Sequence, residues 1–169
     1  MTYDPDQFAK TLRSSLHRRT FSYWRSRAPE GLFPGRQHID PIDVPDLLPW
    51  LTLTEAAWDG PRLQLRSRLV GTEVVHRFGR NITGLYADEA YSGEYLAQAM
   101  ETYSTIIESR RPHLSRHNVP IKGRDHVNYD RLILPLAADG ETVDMFLTCF
   151  AFDDTNGDWA NFAGPENAI

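Results

Sequence analysis

Several groups of residues in this chain have the types and spacing that chemistry uses. His113 and His117, followed by Asp125 and His126, have the composition of a metal site. A spacing of four suits one face of a helix, but this stretch reads as strand and loop. There the two histidines share a face and stand ~13 Å apart at Cα, so surface histidines and no metal are expected. His76, in a short helical stretch, could reach a pocket as a hydrogen-bonding group or a haem ligand, or simply be exposed. Tyr103, Tyr129 and Arg131 could hold a small polar or anionic ligand; Arg131 could equally face outward and pair with Asp144. The acids Asp130, Asp139, Glu141 and Asp144 belong to a hairpin and its flanks, where solvated turn carboxylates are the plainer reading. Cys149, among Phe146, Phe150 and Phe152, is expected to be a buried, inert thiol. No GxSxG elbow, phosphate-binding glycine loop, kinase or cyclase signature is present, and no catalytic residues are assigned.

Composition narrows the classes. The apolar content is 41% and the charged content 24%, ordinary globular values. A net charge of −5 argues against nucleic acid as the main partner, since phosphate neutralisation needs a basic footprint. The run His17, Arg18, Arg19, with Arg25 and Arg27, is read as the solvated face of a helix. One cysteine excludes an internal disulfide. No apolar run reaches the ~18 residues of a membrane span and the N-terminus lacks signal-peptide order, so the cytoplasm is the expected compartment.

Elements must position these residues. Asp4 to Arg27 reads as one helix, with Asp4 as cap, Pro5 in the first turn, and Phe8, Leu12 and Leu16 on a stripe that continues into Phe21, Tyr23 and Trp24. Residues 28–46 carry four prolines but too many apolar side chains for a flexible linker, and are read as an ordered wrap. A short turn and strand over 47–58 pairs through Asp59-Gly60-Pro61 with a strand in which Leu63, Leu65, Ser67 and Leu69 alternate with Arg62, Gln64, Arg66 and Arg68. Gly71 ends that strand, where a positive φ is expected; Thr72 opens a short helix, Gly79 closes it, and Asn81 and Gly84 suit turns. A helix over 92–110 shows the stripe Leu96, Met100, Tyr103, Ile107. Strands over 113–121, 128–136 and 142–152 follow, the last apolar on both faces as a central strand should be. The plan is α+β with a five-stranded antiparallel sheet. It divides into an N-terminal helix and wrap (1–46), the sheet domain (47–153) and a tail (154–169).

Two strands, short helices, a long connecting helix and three strands is the order of the PAS fold. The motifs Tyr23-Trp24; Leu32, Pro34, Arg36 with Asp40-Pro41 and Leu48-Pro49; Arg68-Leu69-Val70-Gly71-Thr72; Gly79 with Thr83-Gly84; and Arg131 to Leu136 (RLILPL) resemble the family PAS_5. That resemblance implies a sensory or regulatory domain, with short helices and one long helix on one face of the sheet, and no agreed ligand or catalytic residue. The flavin-photosensor type of PAS domain places a cysteine in an Asn-Cys-Arg-Phe-Leu pattern that this chain lacks, so the cofactor stays unknown. The expected ligand site is His76, Phe78, Met100, Tyr103, Ile107, Tyr129 and Arg131. The expected homodimer or partner surface is Phe8, Leu12, Phe21, Tyr23 and Trp24, more apolar area than a lone helix leaves in water; the alternative is that they lie on the open face of the chain's own sheet. The expected function is a cytosolic sensor that binds a small molecule or partner and signals by contact. The alternatives are a ligand-free interaction adaptor and a small-molecule-processing enzyme.

Overall fold

Strand β1, Leu51–Asp59, turns at Gly60 (φ 57°) into β2, Arg62–Val70, and the pair opens an antiparallel sheet. The computed structural model describes residues 3–119 and 126–153. The remaining strands are β3, His113–Val119; β4, Val127–Leu136; and β5, Met145–Phe152. Their order across the sheet is β2-β1-β5-β4-β3, so β5 is central, as its two-sided apolar sequence requires. The β4–β5 turn is fixed by Asp139, whose carboxylate accepts the Glu141 and Thr142 amides at 2.8 and 2.7 Å and is thereby held down at a pKa of about 2.

One face of the sheet is covered by the N-terminal segment. The expected single helix is two: α1, Pro5–Thr11, and α2, Ser15–Arg27, with extended backbone at Leu12 and Ser14. Asp4 caps α1, accepting from the Asp6 and Gln7 amides. The break lets Leu12, Leu16, Phe21 and Trp24 all reach the sheet, where they pack with Leu132, Leu134, Leu136, Leu147 and Cys149. Phe8 and Tyr23 lie half-buried at the edge of this cluster. Three of the five residues expected to meet a second copy, Leu12, Phe21 and Trp24, are therefore covered within the chain, and the inference from an uncovered stripe to a dimer seam loses most of its premise. The basic run is accounted for in the same way. His17 is buried, and Arg19, Arg25 and Arg27 pair with Asp46, Asp6 and Asp43 at the surface, where such pairs contribute little.

The wrap is held down by Ile39, Val44 and Leu47, all buried, and by the Phe33 amide donating to the Gly140 carbonyl. Leu32 and Ile42 depart from the expectation that the apolar residues there are covered: they are 40% and 83% exposed. At the end of β2, Gly71 has φ −62°, an ordinary value, so the expected positive φ is incorrect. Its glycine is required by close approach instead. A Cβ there would lie 2.3 Å from the Pro49 carbonyl oxygen and 2.5 Å from that of Leu48, and the Gly71 amide donates to the Leu51 carbonyl. Gly71→Ala should therefore lower stability by about 2 kcal/mol in urea titrations. A variant as stable as the wild type would show that the 48–50 turn yields freely.

The other face carries α3, Thr72–Phe78; α4, Ala87–Ala90; and α5, Gly93–Ser109. Gly79 ends α3 at φ 71°, and the Asn81 side chain accepts the Thr83 amide to shape the loop that follows.

Candidate ligand cavity

Period-two geometry in β1 sends Leu51 and Leu53 toward the N-terminal helices and Thr52 and Thr54 to the opposite face, under α3–α5. The sheet thus offers a partly polar floor to the helices above it. The two layers do not close completely: between them lies a cavity of about 360 Å³. Its floor is Thr52, Thr54, Leu65, Ser67, Val70, Val119, Arg131 and Phe150, and its roof is Val74, Phe78, Tyr91, Tyr95 and Tyr103 with three alanines, 87, 90 and 99. The alanines are what leaves the space, since a methyl is the smallest side chain that keeps the helix. Arg80 ties the loop to the roof, donating to the Ala90 carbonyl at 2.8 Å and the Glu89 carbonyl at 3.4 Å. Phe78 stands edge-on to Tyr129 and Phe150 at ring separations of 5.3 and 5.9 Å, which closes one end with aromatic contacts.

Arg131 is the chemically distinctive group. It faces the cavity, is 7% exposed, and its buried Nε has no hydrogen-bond partner. Of the two orientations open from sequence, the inward one holds. Asp144 instead accepts the Ala138 amide, and Asp130, on the opposite face, pairs with Arg116 at 3.2 Å. Among the described residues no carboxylate pairs with Arg131. The groups around it are neutral near pH 7. Burial raises the Tyr91 and Tyr129 phenols above their ordinary range. Burial, then the Arg131 charge, then His113 lower His117 to about 4, and burial followed by Arg131 lowers His113. His117 stacks on Tyr129 at 5.0 Å, with Ser115 Oγ 2.8 Å from its Nε2.

Of the expected site residues, Phe78, Tyr103 and Arg131 line the cavity. Tyr129 lies fully buried behind its wall, its hydroxyl 3.4 Å from that of Tyr95. The other three lie elsewhere. His76 projects into solvent, 74% exposed and 3.9 Å from Glu73. Met100 borders a separate groove with Leu63, Tyr86 and Leu96, and Ile107 packs on the cluster around Ala56 and Phe146. The inward stripe of α5 is Tyr95, Ala99, Tyr103 and Ile106, which shares Tyr103 with the expected one and stands one residue before it at the other three positions. Sequence reading missed Tyr91, Tyr95, Arg80 and the inward threonines. The Leu-Thr-Leu-Thr alternation of β1 and the four-residue spacing from Tyr95 to Ala99 to Tyr103 were the available signals. Cys149 lies on the opposite face under α2, where burial pushes its thiol up to about 12. Among the described residues no group of three or more His, Cys, Asp or Glu could hold a metal, and Asp125 of the expected cluster lies outside them.

A five-stranded antiparallel sheet with helices roofing a cavity on one face defines a PAS-type α+β domain. The profile of the family PAS_5, described as a PAS domain, matches residues 12–151, and the chain belongs to that family. Membership implies a sensory or regulatory role. Solved structures of LOV proteins are similar. The Rhodobacter sphaeroides LOV protein matches at 13% identity and TM-score 0.48, covering 82% of this chain and 70% of that one. A single-substitution variant of RsLOV matches at 17% identity and TM-score 0.46, covering 64% and 62%, and the RsLOV d2 variant at 16% and 0.46, covering 82% and 69%. The chain thus spans 62% to 70% of the length of these structures. No curated protein matches it. Among the described residues no helix is long and apolar enough to cross a membrane.

Proposed function

We propose that this chain is a sensory domain that binds one small molecule in the cavity between the sheet and α3–α5 and passes on its occupancy by protein contact. The observation that carries this reading is the cavity itself. At about 360 Å³ it falls within the roughly 300–1,000 Å³ of small-molecule sites, and apolar walls with a few convergent polar groups are the usual lining of such sites. A filled core would have left no such space, which weighs against the ligand-free adaptor. The roof is held by short helices and one arginine loop, so a ligand touching Phe78 and Tyr95 touches the elements that must move for a signal to reach the surface. With most of the α1–α2 stripe buried, this reading puts a homodimer or partner contact on another surface.

The test is a native mass spectrum of protein purified without added ligand, set beside the variant Ala99→Leu. Ala99 faces the cavity and is 8% exposed, so leucine there fills space rather than displacing packed neighbours. The expected result is a bound small molecule in the wild type that is absent from the variant, with the variant's melting temperature equal or higher, as cavity filling commonly stabilises by roughly 0.5–2 kcal/mol. A variant that loses several degrees would mean that the space is already packed.

A further inference from the structure

We propose that the cavity's ligand is a small carboxylate with an aromatic or aliphatic body, its anionic group held by Arg131. This inference rests on the ligand-binding reading above and adds the ligand's chemical class. Three observations carry it. Arg131 faces the cavity at 7% exposure, and its Nε is buried with no acceptor. Among the described residues none that lines the cavity is acidic, while a second guanidinium, that of Arg80, is exposed and donates from its two terminal nitrogens to the carbonyls of Ala90 and Glu89. The remaining walls are mostly apolar or aromatic, including Val70, Val74, Phe78 and Phe150, with the neutral hydroxyls of Thr52, Thr54 and Ser67 on the floor.

A guanidinium stays protonated in proteins, and a buried charge without a partner is unfavourable. Among the described residues none supplies that anion, which leaves the role to a ligand. A carboxylate matches the planar fork of an arginine with two parallel hydrogen bonds, whereas a phosphate site is generally built from several backbone amides or a cluster of cations. One buried guanidinium among mostly apolar and aromatic walls fits a single carboxylate on a hydrophobic body. Phenol hydroxyls at Tyr91 and Tyr95 are available to donate to its oxygens.

Matched pairs of probes test this: benzoate against benzamide, phenylacetate against phenylacetamide, and octanoate against octanamide, titrated by calorimetry into wild type, Arg131→Met, Arg131→Lys and Ala99→Leu. Wild type should bind at least one acid roughly 10- to 100-fold more tightly than its amide, the range expected for hydrogen bonds to a charged group. Arg131→Met keeps the stem and removes the charge, so it should abolish that preference and leave amide affinity within about twofold. Arg131→Lys, which keeps the charge, should retain part of the preference and serves if the methionine variant does not fold. Ala99→Leu should block acid and amide together. Equal affinity for acids and amides overturns the carboxylate proposal while leaving the cavity as a ligand site. A neutral molecule in the native mass spectrum does the same. Failure of every probe at millimolar concentration, with nothing bound in the native spectrum, overturns both.

Discussion

Trp24→Ala is expected to destabilise the protein by about 4 kcal/mol, the range for large aromatic truncations in a core being roughly 3–5 kcal/mol. Trp24 is 5% exposed, stacks on Phe21 at 5.7 Å and lies 6.0 Å from Phe33, so its removal opens space between α2, the wrap and the sheet together. Its indole Nε1 also donates to the Pro135 carbonyl at 2.8 Å, which fixes α2 against β4. Trp24→Phe isolates that bond and should cost about 1–2 kcal/mol, because the aromatic body remains while an acceptor loses its donor. Urea midpoints followed at two protein concentrations decide the matter. Concentration-independent midpoints with the two-step loss would fit cover within the chain. A midpoint that rises with concentration would return the stripe to an interface between copies. A Trp24→Ala variant within about 1 kcal/mol of wild type would remove α2 from the core.

The strands were legible because their signals are local. Leu63 and Leu65 alternate with the polar Arg62, Gln64 and Arg66, and Asp59-Gly60-Pro61 and Ala138-Asp139-Gly140 carry turn chemistry, so each hairpin announces itself within about a dozen residues. Which face a residue occupies was harder wherever both faces are covered. From Tyr129 to Leu136 every residue of β4 is buried, so period two relates Arg131 to Tyr129 without saying which layer they meet. The RLILPL strand and the strand holding Cys149 are apolar on both sides, and once α3–α5 cover one face, only the N-terminal stripe is left to cover the other. The break between α1 and α2 falls at Ser14, which takes the N-cap position of α2 without a side-chain capping bond, and Leu12 and Leu16 continue the apolar stripe across it, which masks the break in the sequence.

The cavity was illegible for a related reason. A stripe is recognised by large apolar residues, so Leu96 and Met100 drew the α5 axis toward themselves, whereas the inward positions hold Tyr95, Ala99 and Tyr103. An empty space is written in small side chains, which carry little hydropathy signal. Gly71 failed differently. Glycine is needed either for positive φ or for close approach, and only coordinates distinguish a turn at φ −62° that leaves no room for Cβ.

The second large effect is expected in acid. His17, on α2, is 1% exposed and its Nε2–H donates to the Cys149 carbonyl at 3.1 Å, joining the N-terminal segment to the central strand. Burial lowers its pKa from 6.5 to about 4, against the smaller raising influence of hydrogen bonds to the Cys149 and Asp130 backbones. The unfolded chain takes up a proton near pH 6.5 and the folded chain only near pH 4, so over that window the unfolded state binds more protons and stability falls as pH falls. Stability from this group is complete above pH 6.5 and declines toward pH 4, by about 3 kcal/mol at roughly 1.4 kcal/mol per unit. His117 and His113, both lowered mainly by burial, contribute in the same direction, so the wild-type curve alone does not isolate His17. His17→Gln does, since its amide can donate to the same carbonyl but takes up no proton. Urea titrations from pH 7.5 to pH 4.5 should find the variant less stable at the upper end and shed that deficit as pH falls, the two curves converging or crossing in acid. Parallel curves over the window would mean that the imidazole under α2 is already solvated in the folded protein.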